Sequence, residues 1–143
     1  MGDKGTTFCN DWLKLIFNGT AIANIADNAA SSPLATLYFA LHTADPGVGG
    51  AQTTSECAYT SYARAAVLRT PVGFTVAGTS VTPVNDVNFP IATCGSETAT
   101  YWSVGTAANG AGKILYRGAL SPAIAISNGV PPVVHNSTSI TES

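Results

Sequence analysis

Residues 36–47 read TLYFALHTADPG, and the period of this stretch decides the fold class. Leu37, Phe39 and Leu41 alternate with Thr36, Tyr38 and Ala40, the two-residue period of a half-buried strand. Asp45-Pro46-Gly47 then forms a turn by its own chemistry: the Asp side chain bonds back to the backbone and Pro presets φ. His42 follows Leu41 at the strand end, where the chain is expected to meet solvent. Downstream, VGGAQTTSECAYTS reads as a long exposed connection, and Arg64 in the following YAR as an anchoring ion-pair or backbone donor.

Other short segments bounded by Gly, Pro or Asn follow the same pattern. They are YARAAVLR (62–69), GFTVAG (73–78), VNFPI (87–91), TATYWSVGT (98–106), KILYRGAL (113–120), AIAIS (123–127) and PVVHNSTSI (132–140). Gly78-Thr79 and ANGAG (108–112) are expected hairpin turns, with Asn and Gly supplying positive φ. Ser121-Pro122 is expected to turn between two further strands. About eight short antiparallel strands predict an all-β, two-sheet sandwich, of which the jelly roll is the best-fitting form.

N-terminal to the strands, residues 7–19 predict one amphipathic helix. Phe8, Trp12, Leu15 and Ile16 fall on one face, Thr6 or Thr7 can cap its start, and Gly19 sits where a left-handed C-terminal residue belongs. The expected organisation is a single domain over 1–143. It has an N-terminal arm at 1–6 (flexible or partner-bound), the helix at 7–19 and the sandwich at 35–140. Gly2 and Thr6 satisfy a myristoylation pattern, although Asp3 beside Gly2 fits it poorly.

Charge is scarce: 6 Lys and Arg, 8 Asp and Glu, and a net charge of −2 in 143 residues. Charged residues make up 10% of the chain, against roughly 25% in an ordinary soluble domain. Its surface must be built from uncharged polar residues or covered by partners. No basic stripe exists to neutralise phosphates, which argues against nucleic acid. No apolar run reaches membrane-spanning length and no secretory signal opens the chain, so neither membrane nor export is expected. Cys9, Cys57 and Cys94 are widely spaced and form no CxxC. They read as reduced thiols, and no metal site is expected.

Catalysis finds little support. Ala107–Lys113 approximates a phosphate-loop spacing, but Ile114 stands where Ser or Thr must hold magnesium, and the next residues alternate as a strand. His42, Asp45, Glu56 and Cys57 are close in sequence without a nucleophile elbow, and the eight acids form no evident pair. Neither an enzyme nor a cofactor is expected. Carbohydrate binding stays open, because Tyr59, Tyr62, Tyr101 and Trp102 could stack on sugars.

Several stretches together carry a family resemblance. They are NGTA closing the helix, ATLYFALHTADPG, Tyr59-Thr60-Ser61-Tyr62-Ala63-Arg64-Ala65-Ala66-Val67, VNFPIAT, TYWSVGTAANGAGKILYRGAL and SNGVPP. From about Phe8 to Ile140 the chain resembles small proteins of tailed bacteriophages and prophages, often labelled tail-fibre proteins. It also resembles small jelly-roll proteins that serve as capsid cement. That implies a non-enzymatic virion protein, expected on the capsid surface after synthesis in the bacterial cytoplasm. Its expected partners are the major capsid protein and itself, as a dimer or a trimer. A tail-associated adhesion or carbohydrate-binding module is the alternative. The candidate contact residues are Phe8, Trp12, His42, Asp45, Glu56 and Tyr59.

Overall fold

The computed structural model describes residues 3–29 and 32–143. The myristoylation pattern at Gly2 and the first two residues of the arm lie outside the described residues. Among these described residues one helix, α1 (Thr6–Asn18), precedes nine strands. These are β1 (Thr36–His42), β2 (Ala65–Leu68), β3 (Phe74–Ala77), β4 (Ser80–Pro83), β5 (Val87–Asn88), β6 (Glu97–Gly105), β7 (Ile114–Ile126), β8 (Val133–Val134) and β9 (Ile140–Thr141). They form antiparallel sheets ordered β2-β1-β6-β7, β3-β4-β9 and β5-β8. Among the described residues the class is all-β with one helix and sandwich-like, with no barrel.

The chain divides into two compact units. Met1–Thr36, Val67–Asp86 and His135–Ser143 make the helix unit; Leu37–Ala66 and Val87–Val134 make the sheet unit.

In the helix unit, α1 ends as its sequence predicts: Gly19 adopts φ 66° and its N–H returns to the Lys14 carbonyl. Its start departs from expectation. Gly5 is the N-cap, and no side chain caps the helix. The buried face also differs from the expected one. Cys9, Leu13 and Phe17 are buried, whereas Phe8 and Trp12 are exposed, with ring centroids 6.4 Å apart. Two apolar stripes run along this helix about a quarter-turn apart, and periodicity alone cannot choose between them. Phe74 of β3 makes the choice by meeting Phe17 edge-on at 4.9 Å. Arg69 braces the last turn, donating to the carbonyls of Leu15 and Ile16 and also to Leu34 O and Asn28 Oδ1. The arm is tied down at Lys4, which pairs with Glu142. The β3–β4 hairpin turns at Gly78-Thr79 as predicted, with Gly78 at φ 58°; β4 itself went unread in the sequence.

In the sheet unit, β1 buries Leu37, Phe39 and Leu41 as alternation requires, but it also buries Ala40 and His42, so its last four residues are covered on both faces. Phe39 reaches the ring of Trp102, which sits opposite Leu41 on β6. Trp102 in turn lies opposite Gly118, where any Cβ would press into the indole. The Ser-Pro turn does not form. KILYRGAL and AIAIS are one continuous 13-residue strand, β7, which includes a cis Ser121–Pro122 peptide, and β6 accommodates it with a register shift between Ala99 and Tyr101. ANGAG does turn the β6–β7 hairpin, with Gly110 at φ 75°. PVVHNSTSI divides into β8 and β9, which join different sheets.

Candidate functional site

The stretch from Thr43 to Arg64 is a long connection, yet it is pinned along its length. Asp45 opens it with the expected turn, accepting the Gly47 N–H at 2.8 Å, and the same oxygen pairs with Arg117 at 2.7 Å. The chain then folds back along the end of β1: Thr43 N donates to Ser55 O and Cys57 N to Leu41 O, both at 2.8 Å. Ser55 and Ser61 hold left-handed φ values of 52° and 80°. Non-glycine residues persist in that region only where neighbours over-determine them.

Four side chains do most of the pinning. Gln52 is fully buried, donates to Tyr38 O, and accepts from Ala107 N. Its amide lies against Gly105 and Gly112, where a Cβ would collide with it. Glu56 receives Arg64 in a two-pronged pair, Nε at 2.7 Å and Nη2 at 2.8 Å, and also accepts from the Tyr62 hydroxyl at 2.9 Å. The Arg64 side chain is only 3% exposed, and its other donors reach Ala107 O and Gly110 O in the β6–β7 turn. Two-pronged charged pairs are the strong, geometrically specific ones. Glu97 accepts from the N–H groups of Ala58 and Tyr59, both at 2.7 Å. One guanidinium and one amide therefore tie the long loop to the β6–β7 turn.

His42 belongs to this network and not to a solvent-facing strand end. It is 0% exposed, with Nδ1 donating to Thr54 O at 2.8 Å and Nε2 accepting from Ser103 Oγ at 2.8 Å. Ser103 sits opposite Ala40, diagonal to His42 across the β1–β6 ladder, which brings the two together. Burial lowers the imidazole pKa, with the backbone bond from Thr54 opposing it. Burial pushes the Cys57 thiol up to about 12, reinforced by the charges of Glu97 and Glu56. The Tyr62 hydroxyl is also raised, chiefly by burial. The Arg64 guanidinium is raised by its bond to Glu56. A Ser–His pair sealed from solvent and a thiol held protonated are not placed to attack a substrate. The arrangement is chemically a brace.

The six candidate contact residues separate. Phe8 and Trp12 lie together on the outer face of α1 in the helix unit. In the sheet unit Asp45 is exposed, Glu56 is mostly consumed by Arg64 and Tyr62, and His42 and Tyr59 are buried. The last two thus lose the surface position expected of them. The aromatic residues that suggested sugar stacking meet the same obstacle. Tyr59 and Trp102 are each 4% exposed, and Tyr62 stacks on Phe89 with an interplanar angle of 8°. Gln52, Glu97 and Ser103 went unnoticed in the sequence. Gly105 and Gly112, spaced across the hairpin, are the one sequence trace of the buried Gln52 amide.

Among the described residues, no three His, Cys, Asp or Glu side chains converge on a metal position. No helix among them is long and apolar enough to cross a membrane. Over residues 6–141 the sequence matches the family model described as Podophage GP4 fiber I protein gp80. No curated protein matches it.

Proposed function

Because the chain belongs to the podophage GP4 fiber I protein gp80 family, and is thus a bacteriophage structural protein, we propose that it is a non-enzymatic, tail-associated component of the virion. In this reading it works by packing against neighbouring virion proteins. The family match over nearly the whole chain carries the reading, and two physical features support it. Charge is scarce, with 14 Asp, Glu, Lys and Arg residues in 143, and depletion of charge is what the core of a protein interface shows. The outer face of α1 presents Phe8 and Trp12, at 40% and 37% exposure, and aromatic side chains are enriched where partners dock. Asp45 is the exposed member of the loop set and would lie at the edge of any second contact. Direct glycan recognition draws less support, since Tyr59, Tyr62 and Trp102 spend their faces inside the protein.

The same scarcity of charge favours a second reading, a cement protein on the capsid surface whose partner is the major capsid protein. Copy number in purified particles separates the two. Quantitative gels or mass spectrometry are expected to find a few dozen copies or fewer, and antibody labelling to mark the tail. A stoichiometry comparable to the major capsid protein would overturn the tail reading in favour of cement. Phe8→Ser with Trp12→Ser is expected to abolish incorporation into particles, while the isolated chain stays folded and loses less than the about 3–5 kcal/mol that emptying a core aromatic site costs.

A further inference from the structure

Three Asn-Gly pairs occur in the chain, at 18–19, 109–110 and 128–129. This dipeptide is chemically special because glycine has no Cβ to shield its backbone nitrogen from the preceding side chain. The structure treats the three pairs differently. Asn18 donates through Nδ2 to Phe74 O at 3.0 Å, and the Gly19 N–H is committed to Lys14 O. The Gly129 N–H is committed to Ala92 O at 2.7 Å. At the tip of the β6–β7 turn, among the described residues, neither the Asn109 side chain nor the Gly110 N–H is engaged. Both residues are exposed, and nothing stands within 4 Å of a Cβ placed on Gly110.

We propose that Asn109-Gly110 is a self-modifying site that deamidates in the folded protein, whereas the other two pairs are protected. Solvent base removes the proton from the Gly110 nitrogen, which then attacks Cγ of Asn109. The bond from Cγ to the side-chain nitrogen breaks and ammonia leaves, closing a five-membered imide. Water opens the ring at either carbonyl, leaving an aspartate or, with the backbone rerouted through the side-chain carbon, an isoaspartate at position 109. No redox partner or metal is required.

The position gives the reaction a consequence. Arg64 donates to Ala107 O at 2.9 Å and to Gly110 O at 2.7 Å, one on each side of position 109. An isoaspartate inserts one extra backbone carbon between those two carbonyls, so a single planar guanidinium can no longer hold both. The brace that ties the 43–64 loop to the turn is loosened by age.

Incubation of the purified full chain at mildly alkaline pH, followed by peptide mapping with isoaspartyl methyltransferase labelling, tests this. The expected result is ammonia loss and methyl acceptance at position 109 at least ten-fold faster than at 18 or 128. In denaturant all three pairs should react at similar rates. Asn109→Gln, whose longer side chain closes the ring poorly, should remove the signal and keep the melting temperature constant on ageing, while the aged wild type melts lower. Faster reaction at 18 or 128, or no reaction at 109 in the folded chain, overturns the proposal. A melting temperature that falls equally in aged Asn109→Gln overturns the link to the brace.

Discussion

The helix unit and the sheet unit are held together by different physics. In the sheet unit, the long loop is fastened by polar groups that are nearly all spoken for: Gln52, Glu56, Arg64, Glu97, His42 and Ser103. In the helix unit, α1 rests on β3 through Phe17 and Phe74. Among the described residues, that unit also carries seven of the nine exposed large hydrophobic side chains, namely Phe8, Trp12, Ile25, Leu34, Leu68, Val72 and Val84. Polar bracing fixes a loop geometry because each bond is directional, and an unmade one is costly once buried. Apolar packing is less directional and can leave apolar area over for a neighbour. One unit is therefore suited to holding a shape and the other to adhering, a division that suits a virion component.

The difference can be broken from either side. The largest effect is expected from Phe17→Ala, which empties a fully buried ring site in the helix unit. It should cost about 3–5 kcal/mol by chemical denaturation, the usual range for a core Phe. A loss below about 1 kcal/mol would show that α1 is not held by that contact.

Arg64→Ala comes next, at about 3 kcal/mol, because it strands a mostly buried carboxylate. Arg64→Lys should not rescue it, since an ammonium cannot make the two-pronged bond. The double variant Glu56→Gln with Arg64→Met should recover part of the loss, since the carboxylate is no longer stranded. If the double variant is as unstable as the sum of its parts, the brace is not an ionic one.

The smallest effect concerns Cys57. Its thiol is raised from an ordinary 9.0 to about 12, so the folded state holds that proton over a window in which the unfolded chain releases it. The associated stability is fully present below about pH 9 and is lost as the pH rises towards 12. At pH 8, iodoacetamide should label the exposed Cys94 first and leave Cys57 and Cys9 unreacted until denaturant is added. Rapid labelling of Cys57 in the folded chain would contradict its burial.

Parts of this structure were readable before any coordinates. Alternation in TLYFALH, the turns at Asp45-Pro46-Gly47 and Gly78-Thr79, and the left-handed Gly19 all rest on local chemistry. The errors share one cause. Phe8 and Trp12 against Leu13 and Phe17, or Ser-Pro as a turn against Ser-Pro within a strand, are choices that residues distant in the chain make. Tyr59 and His42 look like surface residues until the loop that buries them is folded back.

What the sequence determined alone was the class of the protein: short alternating strands, one helix and very little charge. Local propensity and composition suffice for that, because period and charge belong to neighbouring residues. Only the tertiary structure decided that His42, Glu56 and Arg64 brace a loop, and that the aromatic side chains left outward are Phe8 and Trp12. Those outcomes depend on contacts between residues such as His42 and Ser103, 61 positions apart, and no local pattern encodes a partner that far away.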